Sequence, residues 1–166
     1  MEQEIKISEL LDPERANEHL PALQAYFEKG GTWQMLMNLP DFHLESQYAN
    51  GYELYQEGRY KEATEAFTSL TILNPYEPKY WFALAAARHL DGDLSEALQA
   101  YLLSSAIDEE NPTPLLQAAR CADELERAGE TLKLLDQTIA VGKENGEYEM
   151  VVREARALKE RAKQVE

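Results

Sequence analysis

The sequence predicts an all-α fold, a solenoid of helical hairpins, on three observations. Two stretches in the middle of the chain align without a gap at a spacing of 34 residues. Glycines recur where a first helix should end, and Asn-Pro pairs follow where a second should stop. Apolar residues fall at helical spacing from Leu44 almost to the C-terminus.

The repeat is carried by residues with physical reasons to recur. Tyr48 to Ala63, leading to Phe67, matches Phe82 to Ala97, leading to Tyr101. Gly51 and Ala85 are small enough for the two helices of a hairpin to approach closely. Gly58 and Gly92 suit the end of a first helix. Ala63 and Ala97 sit where the second helix crosses the first, and Phe67 and Tyr101 fill the space between hairpins. Asn74-Pro75 and Asn111-Pro112 stop the second helices. The pattern resembles the tetratricopeptide repeat, whose length is 34 residues. Trp81 and Leu84 match its aromatic and leucine positions, while Gln47 stands where the first repeat would carry the aromatic.

A third unit reads less regularly. Pro114 to Arg127 is expected to be a helix, broken at Gly129, with Thr131 to Val141 as its partner. Gly129 follows Gly92 by 37 residues, which implies about three inserted residues. Gly142 and Glu144 to Glu147 form the next break. Tyr148, Val151, Val152, Ala155, Leu158 and Ala162 then make one apolar stripe, as a helix covering the open end of a solenoid would.

The first 43 residues lie outside the repeat. Asp12-Pro13-Glu14 is a helix start, Pro21 should bend or restart that helix, and Gly30-Gly31 ends it. Leu20, Leu23, Tyr26 and Phe27 form an apolar face, and Thr32 caps a short helix through Leu39. The expected organisation is an N-terminal helical and dimerisation segment over 1–43, three repeats at about 44–77, 78–111 and 112–145, and a capping helix over 146–166.

Composition narrows the function. Sixteen Lys and Arg against 31 Asp and Glu leave a net charge of −15, which repels phosphate backbones and anionic membranes. The single cysteine, Cys121, excludes an internal disulfide or a thiolate zinc cluster. No apolar run is long enough to span a membrane, and the acidic N-terminus lacks a signal-peptide layout, so a cytoplasmic chain is expected. No phosphate loop, nucleophile elbow or paired-histidine metal helix is present. A non-enzymatic protein without cofactor or metal is therefore expected, and Cys121 reads as a small buried hydrophobe.

A tyrosine row offers the candidate site. Tyr48, Tyr52 and Tyr55 share one helix face, while Leu44, Gly51 and Leu54 supply another for packing. First helices line the concave side of such a stack, so the row reads as a groove floor. Equivalent positions are Phe82, Ala86 and His89 in the second repeat, and Leu116, Arg120 and Asp123 in the third. Tyr48, Tyr52, Tyr55, Phe82, Ala86, His89, Leu116 and Arg120 are thus the candidate peptide-binding residues, with Phe82 expected beside Tyr48. Aromatic floors suit an extended peptide because they give large contact area with little side-chain entropy to lose.

Further motifs resemble the class II chaperones of type III secretion, the SycD/LcrH type. These are Phe27-Glu28-Lys29-Gly30-Gly31-Thr32, Met35-Leu36, Leu44-Glu45, the Tyr48 to Tyr60 stretch, Leu73-Asn74-Pro75-Tyr76, Tyr80-Trp81-Phe82, Ala87-Arg88 and Ala118-Ala119-Arg120-Cys121. The resemblance implies a bacterial cytosolic chaperone. Its clients would be hydrophobic translocator proteins, held by a Pro-x-Leu-x-x-Pro type segment in the concave groove. It also implies homodimers formed through the N-terminal helices. A generic adaptor binding a peptide of another complex is the alternative reading.

Overall fold

The computed structural model describes residues 16–163. Among them are nine α-helices, one 3-10 turn and no strand. They are α1 (Ala16–Glu28), α2 (Trp33–Leu36), α3 (Asp41–Gln56), α4 (Tyr60–Leu73), α5 (Pro78–Asp91), α6 (Leu94–Ile107), α7 (Thr113–Glu124), α8 (Ala128–Gly142) and α9 (Glu149–Ala162). The turn, Gly146–Tyr148, leads into α9. The helices pair as α3–α4, α5–α6 and α7–α8, and each packs on the one before and the one after. The expected helix start at Asp12-Pro13-Glu14 lies outside the described residues.

Two hairpins follow the sequence reading closely. Gly58 and Gly92 end α3 and α5 at φ +78° and +89°. In that left-handed region a Cβ would be strained. Ala63, Phe67, Ala97 and Tyr101 are buried. Gly51 has to be small, since a Cβ there would stand 2.8 Å from Cε1 of Phe67.

The third hairpin corrects the expected insertion. It keeps the 34-residue register, and the position equivalent to Gly58 and Gly92 is Glu126, at φ +58°. Thr131 and Leu135 are buried where Ala97 and Tyr101 are in the hairpin before. Gly129 breaks nothing. It lies in the first turn of α8, with open space where a Cβ would be. The missing glycine, not an insertion, made this repeat look irregular. A non-glycine residue in the left-handed region costs about 1–2 kcal/mol, partly offset by glycine's larger unfolded-state entropy. Glu126→Gly should therefore stabilise the chain by about 0.5–1 kcal/mol, read by urea unfolding. An unchanged or lower midpoint would refute the strain.

α9 continues the same register. Leu84, Ala118 and Val152 are buried at 34-residue intervals, and so are Ala87, Cys121 and Ala155. α9 thus occupies the place of a fourth first helix with no second helix after it, and its outer residues Arg153, Arg156 and Glu160 are exposed. Gly142 permits the close approach, because a Cβ there would meet Val152 Cγ2 at 2.6 Å and Pro112 Cγ at 3.2 Å.

The N-terminal segment is tied to the first hairpin by polar bonds. α1 runs on through Pro21 instead of restarting there. Gly30 turns the chain at φ +84°, and Thr32 Oγ1 caps α2 by accepting from the Met35 amide at 3.1 Å. Gln34, nearly buried, donates to Asp41 Oδ1 at 2.7 Å. It also accepts from Asn74 Nδ2 at 3.1 Å, which anchors α2 to the end of α4.

Candidate functional site on the first helices

Side-chain contacts join α3 to α5, α5 to α7 and α7 to α9 in a row. Lys79 Nζ donates to Glu45 Oε1 at 2.6 Å, and Arg120 pairs with Glu154. Both pairs are 34 residues apart. The face these helices share carries the candidate residues.

At the α3 end the face is aromatic. Tyr52 exposes 49% of its surface and stacks on Tyr55, with ring centroids 6.4 Å apart and planes at 16°. Tyr55 in turn meets Tyr60 edge-on at 5.6 Å. Tyr48 is half-buried against Phe67 at 5.6 Å and Tyr80 at 5.9 Å. Lys79 Nζ lies 5.4 Å from the Tyr48 centroid and 5.5 Å from that of Tyr80, within cation–π range. Burial raises the phenol pKa of Tyr48, Tyr55 and Tyr80. These hydroxyls therefore stay protonated at neutral pH.

The middle of the face mixes apolar and polar groups. Phe82 is half-buried and packs edge-on to Tyr101 at 5.3 Å, with half-buried Ala86 one turn on. His89 Nε2 is 2.9 Å from Glu124 Oε1, and its Nδ1 is 3.5 Å from Cys121 Sγ. Farther along, Asp123 is exposed and Arg120 is half-exposed in its pair with Glu154.

The structure thus brings Tyr48, Tyr52, Tyr55, Phe82, Ala86 and His89 to accessible or half-buried positions. It corrects two expectations. Leu116 is 2% exposed, so it is core and offers no surface to a peptide. Tyr48 meets Tyr80, whereas the ring beside Phe82 is Tyr101. The 34-residue equivalence gave the helix face correctly but not the ring partners, because side chains reach diagonally between helices. Arg120 already has a carboxylate partner. Tyr80, Lys79, Glu124 and Glu154 were missed. Tyr80 has no aromatic counterpart 34 residues earlier, where Ser46 stands, so the repeat could not reveal it.

The expected dimer face is divided. Leu20 is 55% exposed, while Leu23, Tyr26 and Phe27 are half-buried. Tyr26 donates its hydroxyl to the Thr32 carbonyl at 3.1 Å, and Phe27 packs on Trp33 at 5.0 Å. Between this segment and the stack lies an apolar cavity of about 360 Å³, lined by Phe27, Trp33, Ile72, Pro75 and Trp81 among others. Exposed Met35 and Met37 add apolar area nearby.

Cys121 is fully buried, and burial pushes its thiol up to about 12 from an ordinary 9.0. Tyr101, also buried, is raised above 10.0. Below pH 9 the thiol is neutral in both folded and unfolded chains, so its full contribution is present. Between 9 and 12 only the unfolded chain ionises, and stability falls as pH rises. Urea unfolding should show a loss of about 1–3 kcal/mol from pH 8 to pH 11, reduced in Cys121→Val. A flat profile would contradict the burial. Among the described residues, no three His, Cys, Asp or Glu side chains come together to hold a metal ion. No helix among them is long and apolar enough to cross a membrane.

Comparison with known proteins places this geometry. The tetratricopeptide repeat family model matches residues 44–77 and 78–111. The low calcium response locus protein H of Yersinia pestis is 29% identical over 126 residues, covering 74% of this chain and 75% of that protein. The chaperone protein SicA of Salmonella dublin is 28% identical over 93 residues, covering 56% of each. Among solved structures, PcrH in complex with the chaperone binding region of PopD superposes with a TM-score of 0.72 at 27% identity, covering 76% of this chain and 95% of that one. The chain thus carries two tetratricopeptide repeats and is homologous to the LcrH/SycD and SicA-type chaperones of type III secretion.

Proposed function

We propose that this chain is a cytosolic translocator chaperone. It binds an extended apolar segment of a hydrophobic secreted protein along the face of α3, α5 and α7, and keeps that client soluble until secretion. The observation that carries the reading is the open tyrosine pair. Tyr52 and Tyr55 stack with one ring half-exposed on the inner helices of a repeat protein homologous to PcrH. Apolar segments left free would aggregate, and an aromatic groove shields them without ATP. The acidic surface adds solubility to the complex. Calorimetry with a synthetic Pro-x-Leu-x-x-Pro peptide and its proline-to-alanine control tests this. Saturable binding of the first and at least about tenfold weaker binding of the second is expected. Equal affinities would favour the adaptor reading.

The N-terminal segment serves in this reading as a homodimer contact, supported by exposed Leu20, Met35 and Met37. Sedimentation at tens of micromolar should give a dimer, shifted toward monomer by Leu20→Glu with Met35→Glu. A wild-type monomer would refute it.

A further inference from the structure

Cys121, His89 and Glu124 form a hydrogen-bonded chain between α7 and α5. The thiol is an unexpected group at its position. The equivalent residues one repeat before and after are Ala87 and Ala155, both buried, so a Cβ alone satisfies the packing there. The sulfur is added to that packing, and it stands 3.5 Å from His89 Nδ1. Burial keeps it as a neutral S–H at physiological pH, able to donate to that nitrogen. A neutral imidazole whose Nδ1 accepts a hydrogen bond carries its proton on Nε2. That nitrogen lies 2.9 Å from Glu124 Oε1, within reach to donate to it in this tautomer. Tyr101 closes the other side of the ring, edge-on at 6.3 Å and 83°. The Glu124 side chain remains 54% exposed, which leaves carboxylate acceptor capacity open to solvent.

We propose that Cys121 is a positioning residue. Its thiol fixes His89 as the Nε2–H tautomer, and His89 holds Glu124 as an acceptor for a main-chain amide of the bound segment. The role of Glu124 rests on the groove reading above; the tautomer does not.

The experiment uses the full chain with ¹⁵N-labelled histidine. Long-range ¹H–¹⁵N spectra at neutral pH should show His89 with its proton on Nε2. Cys121→Ala and Cys121→Val should both shift the ring toward a mixture of tautomers. Valine restores the volume but not the donor, so a purely structural role would leave Val like wild type and only Ala altered. Affinity for the Pro-x-Leu-x-x-Pro peptide should fall by about threefold to tenfold in both cysteine variants and in Glu124→Gln, the worth of one hydrogen bond. An Nδ1–H tautomer in the wild type, an unchanged ring in both cysteine variants, or an altered ring with unchanged affinity would overturn the proposal. A wild-type chain that binds no such peptide would overturn the groove reading and the role of Glu124 together, while the spectrum still decides the tautomer.

Discussion

Phe67→Ala is expected to cost about 3–5 kcal/mol of stability, a large part of the 5–15 kcal/mol a domain has in total. Phe67 is 1% exposed, and it is the ring on which the first hairpin closes. It packs on Tyr48 from α3 at 5.6 Å and fills the space that Gly51 leaves open. Truncation leaves a cavity that neither neighbour can close. Gly51 has no side chain to move in, and Tyr48 is held by Tyr80 on its other side. Urea unfolding of the variant against wild type measures the cost. A loss under about 1 kcal/mol would mean that the hairpin relaxes around the hole, and the rigid reading of this contact would be wrong.

The second large effect is on binding. Tyr52→Ala should weaken peptide affinity by about thirtyfold, the value of an aromatic anchor worth about 2 kcal/mol. Its melt should stay near that of wild type, because half the ring is in solvent and its described ring contact is Tyr55. Tyr48→Ala should behave differently. That ring packs on Phe67 and Tyr80, so the variant loses stability together with any affinity. Calorimetry and thermal melting of the two variants separate the cases. Unchanged affinity in Tyr52→Ala would place the client elsewhere.

The fold was legible in the sequence wherever a backbone requirement forces a residue type. Gly58 and Gly92 announce helix ends because φ is positive there, and Gly51 and Ala85 announce close helix approach. The third repeat was misregistered for the same reason. Glu126 adopts the left-handed conformation without the glycine that would advertise it, and nearby Gly129 drew the boundary away. The site was legible as a helix face but not as a set of contacts. Periodicity placed Tyr52 and His89 on the inner side. It could not show that Leu116 is swallowed by the next hairpin, since one residue's burial depends on the helices on both sides of it. Nor could it show that Arg120 is engaged by Glu154, because α9 had not been recognised as continuing the register.

That continued register has a consequence for how the molecule folds and bends. Hairpins that touch only the hairpins beside them form a nearly one-dimensional system. Its contacts close short loops, so ordering can begin in any hairpin and spread outward without waiting for distant segments to meet. The outermost helices, each braced on one side only, are the first to detach when the chain is stressed. The same layout distributes curvature. A slight rotation at each junction between successive hairpins adds along the row, so the inner face widens or narrows by many small adjustments rather than by one hinge.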